Sequence, residues 1–436
     1  MKRELLWLWA VLATGTVVLA GAVASAERGA SFEAAPTPGS GAGAESGAEA
    51  PEEAAERDAD PAALKIELGR RLFNATWMSE PDGQSCATCH SPAAAFSDPQ
   101  RQRPVSAGAL KDRVNLRNAP SLAYASFTPS LHYNTEDETY VGGLFLDGRV
   151  DGLAAQAVQP LLDPLEMHNP GKVSVVRDLR RSTVAPLFKQ VYGAESLEPF
   201  NTDAAFAQVA DAIAAFEASP EMNPFTSKYD YYLKGQARLS PAEERGLQLF
   251  NGKANCCACH PSNVVGDEPG PLFTDFTYDN IGTPKNWNSP FLTLPARLNP
   301  HGLAFIDYGL MNTILGIEPD PEKAAAEAGK FKVTTLRNVE LTAPYGHNGY
   351  FQTLKQVVRF YSTRDDPAEY WPPAEVLANV NRDEMGSLGL TPQEEDDLVA
   401  FLLTLTDGYR PDEAASLPAD FPQALPAGEA PRADRQ

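Results

Sequence analysis

The chain has 436 residues, 22% of them charged, and a formal net charge of −22. Such an acid excess argues against nucleic acid or an anionic membrane surface as partner. Only five cysteines are present, so their spacing constrains strongly what the chain can bind.

In chain order, the N-terminus reads MKRELLWLWAVLATGTVVLAGAVASA. Lys2 and Arg3 precede an apolar run, and Ala24-Ser25-Ala26 offers a small-residue cleavage site. This is the pattern of a secretory signal over 1–26, with an uncleaved membrane anchor as the alternative. No other segment is apolar enough to span a bilayer. Residues 27–60 are mostly Ala, Gly, Glu, Pro and Ser, which predicts a flexible tether, and a Pro/Ala-rich tail closes the chain over 413–436.

The folded body holds all the cysteines. SCATCHSP carries Cys86, Cys89 and His90 as C-x-x-C-H, and NCCACHP carries Cys256, Cys259 and His260 in the same register, leaving Cys257 over. C-x-x-C-H is the attachment pattern of c-type haem: two thiols form thioethers and the adjoining imidazole becomes the proximal iron ligand. A zinc site is the poorer reading, because a His fused to the second Cys is badly placed for tetrahedral ligation. No βαβ context suggests a thioredoxin-like pair, and structural disulfides would leave the repeated His unexplained. Covalent haem and an export signal together predict a periplasmic protein.

The surroundings of the two motifs echo each other. DPAALKIELGRRLFN precedes the first and SPAEERGLQLFN the second, both containing G-x-x-L-F-N, at Gly69 to Asn74 and Gly246 to Asn251. Asp60-Pro61 and Ser240-Pro241 are cap-plus-proline helix starts, and Glu243 completes a capping box. LRNAPSL, from Leu116, is answered by LRNVELT, from Leu336. The amphipathic closing helix Val209 to Ser219 is answered by Asp397 to Thr406, which follows a second capping box in TPQE. The chain therefore reads as mainly α, with few short strands and two cytochrome c-like helical domains. They cover 61–235 and 236–412, each with one covalent c-type haem.

The stretches CATCHSPAAAFSD, LRNAPSL, GLFLDGRVDGLAAQAVQPLLDPLEM, LFNGKANCCACHP, FKVTTLRNVELTAPYGHNGYFQTLKQVVRFY and LVAFLLTLTDGY occur in the order found in a known family. The chain resembles the bacterial dihaem cytochrome c peroxidases and their relative MauG over most of residues 60–410. The resemblance implies that Gln156 and Glu166 lie over the open face of haem 1. There a carboxylate can take and return the proton of bound peroxide, and a neutral amide can orient it. Many family members block haem 1 with a distal His in the loop after the first motif. Here that loop, SPAAAFSDPQRQRPVSAGALKDRVN, has neither His nor Met, so a vacant sixth position is expected, with His132 and His168 as the remaining intruders. Tyr361 stands where the family supplies the distal ligand of haem 2, with Met311 as competitor. Asn118, Thr342 and Pro344 match a calcium site between the haems, a sparse neutral oxygen set that suits Ca²⁺. His347 is expected to hydrogen-bond rather than bind iron. One position departs from the family: Leu146 replaces the Trp near the path between haems, and an aliphatic side chain cannot relay charge.

The function implied is periplasmic reduction of hydrogen peroxide, with electrons from a small cytochrome c or cupredoxin entering at haem 2. A MauG-like oxidase acting on a partner protein is the alternative, and a non-enzymatic dihaem carrier a third. Dimers are usual in the family, which makes a homodimer an expectation.

Overall fold

A computed structural model describes residues 60–411. The signal 1–26, the tether up to residue 59 and the tail 413–436 lie outside the described residues. The main helices are α1 (Pro61–Phe73), α2 (Cys86–Cys89), α3 (Leu153–Ala157), α4 (Thr202–Glu217), α5 (Pro241–Phe250), α6 (Leu310–Ile317), α7 (Leu354–Thr363) and α8 (Pro392–Leu403). Strands are short: β1 (His132–Asn134) pairs antiparallel with β2 (Thr139–Val141), and β3 (Tyr278–Asp279) with β4 (Phe331–Lys332). Further helices, among them Lys172–Arg181, Ala185–Tyr192 and Lys228–Leu233, and long irregular chain complete a mainly helical frame. Among the described residues no helix is long and apolar enough to cross a membrane.

The caps form as the sequence implies. Asp60 Oδ1 accepts from Ala62 N at 3.0 Å, while Ser240 with Glu243 and Thr391 with Glu394 close reciprocal capping boxes on α5 and α8. Each orphan amide so satisfied is worth about 1 kcal/mol.

The echoed G-x-x-L-F-N now has a physical reason. α1 crosses α4 at Gly69, where a Cβ would stand 1.9 Å from the carbonyl oxygen of Ala212. α5 crosses α8 at Gly246, where a Cβ would stand 2.0 Å from the carbonyl oxygen of Asp397. Only glycine permits backbones so close. The Phe of each motif then meets its partner helix edge-on: Phe73 and Phe216 have centroids 5.2 Å apart, Phe250 and Phe401 5.1 Å. These four rings are buried, and each contributes about 1.5–3 kcal/mol.

Two hydrophobic cores result, one around Phe73, Phe188 and Phe216, the other around Phe250, Phe273 and Phe401. They exchange residues across the middle of the chain: Tyr229 packs in the second core and Leu272 in the first. The described residues belong to one compact unit. The echoed L-R-N segments stitch it together. Arg117 holds Asp307 and Asp147, at 2.7 Å each, and buried Arg337 donates to Asp230 at 2.9 Å and to the Pro271 carbonyl at 2.7 Å.

Candidate haem sites

The first C-x-x-C-H lines a cavity of about 440 Å³. Ser85 N donates to Thr88 Oγ1 at 2.9 Å, starting the single turn of α2, and His90 N donates to the Cys86 carbonyl at 2.8 Å, closing it. That turn sets Cys86, Cys89 and His90 on one wall. His90 Nδ1 donates to the Phe96 carbonyl at 2.9 Å, so the proton sits on Nδ1 and Nε2 keeps its lone pair. Burial lowers the affinity of this imidazole for a second proton, which keeps it neutral.

The second motif repeats the arrangement in a cavity of about 300 Å³. His260 N donates to the Cys256 carbonyl at 2.9 Å, and His260 Nδ1 donates to the Phe273 carbonyl at 2.7 Å. Burial holds His260 down at about 4. Cys256, Cys259 and His260 line this cavity; Cys257 is not among its lining residues and packs against the second core. Cys257→Ser is therefore expected to leave two haems per chain by intact mass, whereas Cys256→Ser should loosen the second. Loss of covalent haem in the Cys257 variant would move the register by one residue.

The donor chemistry fits two haems. All five cysteines are free thiols, and burial pushes Cys89 and Cys256 up to about 12. Sites that so oppose a thiolate suit an uncharged thioether. Each pair lies beside a neutral imidazole with one free nitrogen.

Gln156, at the end of α3, and Glu166 line the first cavity together with Cys86, Cys89 and His90. The Glu166 backbone is fixed by a bond from its N–H to the Asp163 carbonyl at 3.1 Å and by Ala109 N donating to its carbonyl at 2.7 Å. Burial, reinforced by Asp163, pushes the Glu166 carboxyl up to about 7, against the opposing pull of Arg149 and a hydrogen bond from Asn115. His132 and His168 stay away from this wall: their Nδ1 atoms engage the carbonyls of Ser130 and Glu80, and neither lines the cavity. Asn115 and Arg149 were not singled out from sequence; both lie within quoted stretches, but neither has a spacing signature.

Tyr361, on α7, lines the second cavity with His260. Burial, then Asp279 and the cysteines, drive its phenol well above the ordinary range, so only a cation would draw off its proton. Met311 does not line this cavity; Met385 does, and sequence reading gave no hint of it. Asn118, Thr342 and Pro344 also line it. The Asn118 amide meets the Pro344 carbonyl at 2.6 Å, which brings together two of the oxygen-bearing groups a calcium ion would need. His347 is buried, stacked on Phe331 at 3.8 Å and 3.4 Å from Glu375. Leu146 and Lys332 line both cavities, and the wall between the haem sites therefore carries an aliphatic side chain and an amine.

Comparison with known proteins gives the family. The sequence profile described as di-haem cytochrome c peroxidase matches residues 63–238. Methylamine utilization protein MauG of Paracoccus denitrificans is 38% identical over 366 residues, covering 80% of this chain and 90% of its own. The chain belongs to the di-haem cytochrome c peroxidase family. Cytochrome-c peroxidase IdrP2 of Denitromonas iodatirespirans is 29% identical over 400 residues, spanning 90% of this chain and 89% of the relative. The crystal structure of the diheme peroxidase BthA from Burkholderia thailandensis superposes with a TM-score of 0.69 at 32% identity, over 84% of this chain and 93% of that one. A member of the di-haem cytochrome c peroxidase family is an oxidoreductase, and membership implies two haem c groups.

Proposed function

We propose that the protein reduces hydrogen peroxide to water in the periplasm, using electrons from a small cytochrome c or cupredoxin. The observation that carries the proposal is the shared cavity of Gln156, Glu166 and His90, with no His or Met among its other lining residues apart from Met167. Met167 is 3% exposed and belongs to the first hydrophobic core.

Haem held by Cys86, Cys89 and His90 would supply the iron that binds and reduces peroxide. Glu166, held near 7, takes a proton from the incoming peroxide and returns it to the departing oxygen; a carboxyl poised at working pH does both. Gln156 orients the peroxide with an uncharged amide. His260 and Tyr361 would hold the second haem as the electron-entry centre. Asn118, Thr342 and Pro344 would hold calcium between the two sites. The proposed division at 235/236 into a peroxidatic and an electron-transfer domain is supported by one C-x-x-C-H motif on each side of it.

Tyr361→Phe is expected to abolish or shift the low-spin ferric EPR signal of the second haem, while Met385→Leu leaves it in place. An unaltered signal in the Tyr361 variant would remove that residue from the iron and turn attention to Met385. Steady-state oxidation of reduced cytochrome c by peroxide tests the activity itself.

A second reading is a MauG-like oxidase that modifies a partner protein, favoured by Tyr361 sharing the second cavity with His260 and opposed by Leu146 in the shared wall. Cross-linked aromatic product in a co-purified amine dehydrogenase would establish it. A simple dihaem carrier has no use for the pairing of Gln156 with Glu166.

A further inference from the structure

We propose that three tyrosines, Tyr278, Tyr140 and Tyr133, form an exit route for oxidising equivalents from the wall shared by the two cavities to the protein surface, with Lys332 as the proton acceptor at its inner end. This rests on the peroxidase reading above.

The strand pairing builds the route. Tyr278 of β3 lies directly across from Lys332 of β4, and Tyr133 of β1 directly across from Tyr140 of β2. Lys332 lines both cavities, and its amide N–H is fixed to the Leu146 carbonyl at 2.9 Å. Lys332 Nζ lies 2.7 Å from the Tyr278 hydroxyl, and both groups bond the Gly142 carbonyl at 2.5 Å. The two hairpins are joined there: Gly142 N donates to the Phe276 carbonyl at 3.0 Å. Tyr278 and Tyr140 share one small hydrophobic cluster with Leu310 and Ile314 of α6. Tyr140 and Tyr133 then stack edge-on with centroids 5.0 Å apart. Exposure rises outward, from 4% at Tyr278 to 9% at Tyr140 and 47% at Tyr133.

The chemistry at the inner end is balanced. Peroxide takes two electrons and two protons to give two waters. Tyr278 gives one of those electrons; its hydroxyl, which donates to the Gly142 carbonyl, turns to Lys332 Nζ at 2.7 Å, its O–H bond breaks and the proton passes to the amine lone pair, while the haem pair would supply the second electron. The Tyr278 radical takes back the Lys332 proton together with an electron passed from Tyr133 through Tyr140, so the net loss is one electron and one proton from Tyr133, 47% exposed, whose proton goes to solvent. A phenol gives up an electron readily only if its proton has somewhere to go. Burial holds Lys332 down at about 7, with Asp147 and Asp151 pulling the other way, so a neutral amine is at hand. Tyr124, also on the wall of the first cavity, donates its hydroxyl proton to the Asp407 carboxylate at 2.7 Å but has no amine beside it. It lies under the Arg337 guanidinium, 4.8 Å away, a permanent cation that opposes loss of an electron from the ring. Phe145 and Phe276, on the same wall, are far harder to oxidise.

The test uses ferric holoprotein, one equivalent of hydrogen peroxide, no electron donor and the nitroso spin trap 2-methyl-2-nitrosopropane. Haem EPR and peptide mass mapping are read on the same sample. The expected result is a trap adduct on Tyr133 in the wild type. It should be lost in Tyr278→Phe, Tyr140→Phe and Lys332→Met, while the wild type and the two tyrosine variants show the same haem spectrum and the same disappearance of the high-spin signal. Tyr370, 94% exposed and off the route, is the internal control. An undiminished Tyr133 adduct in the Tyr278 variant, or adducts on Tyr370 but none on Tyr133, would overturn the route while leaving the peroxidase reading intact. A high-spin signal untouched by peroxide would overturn the peroxidase reading itself.

Discussion

Glu166→Gln is expected to slow the reaction with peroxide by ~10²–10⁴-fold, the usual worth of a positioned acid–base group. Gln keeps the size of the side chain and its place in the cavity wall, so both haems should remain attached. The pH dependence carries the sharper signature. With the Glu166 carboxyl pushed up to about 7, it is protonated below that pH and cannot accept the peroxide proton. The wild-type rate should therefore rise as pH rises through about 7 and level off above it, and the Gln variant should be flat. Stability should not fall in the variant. A carboxyl raised from 4.5 to about 7 binds its proton more tightly when folded, so its contribution to stability shrinks as pH rises through that window. A neutral amide escapes that cost. Stopped-flow mixing with peroxide from pH 5 to 9 checks both statements, and a Gln variant as fast as the wild type would remove Glu166 from the chemistry.

Gly69→Ala and Gly246→Ala are expected to be among the most damaging single-methyl additions at the described residues. At each site the new Cβ would lie about 2 Å from a backbone carbonyl oxygen of the crossing helix, and backbone cannot swing aside as a flexible side chain can. The helices must part, opening the Phe73–Phe216 or Phe250–Phe401 contact beside the crossing. The cost should exceed about 3 kcal/mol, in the upper range for overpacking. Gly316→Ala, in α6 with nothing within 4 Å of its Cβ, is the control and should be neutral or slightly stabilising, since Ala is the better helix former. Thermal melts of the three holoproteins followed in the haem band check this. Equal melting temperatures would mean that the crossings are looser than the structure has them.

The features legible in the sequence are those whose cause is local. The caps at Asp60, Ser240 and Thr391 need only a few neighbouring residues, and C-x-x-C-H closes within one helical turn. The echoes of G-x-x-L-F-N and L-R-N were visible as patterns, but their reasons were not. Gly69 meets Ala212 and Arg337 meets Asp230 across long stretches of chain, and no periodicity reports such pairs. The same holds for Asn118 and Pro344, which the family resemblance brought together and spacing could not. Met385, Asn115 and Lys332 escaped notice altogether, because each reaches a cavity wall from irregular chain or a two-residue strand. The exchange of Tyr229 and Leu272 between the cores follows from the close seating of the halves, which sequence patterning does not encode.

The central claim is that this chain turns over peroxide at the cavity of His90, Gln156 and Glu166. The most direct measurement mixes reduced small cytochrome c, purified holoprotein and hydrogen peroxide, and counts cytochrome oxidised against peroxide consumed. Two cytochromes oxidised per peroxide in sustained turnover, collapsing in Glu166→Gln with both haems still attached, is the expected result. No catalysed peroxide loss by a fully haem-loaded wild type, or turnover indifferent to Glu166, would contradict it.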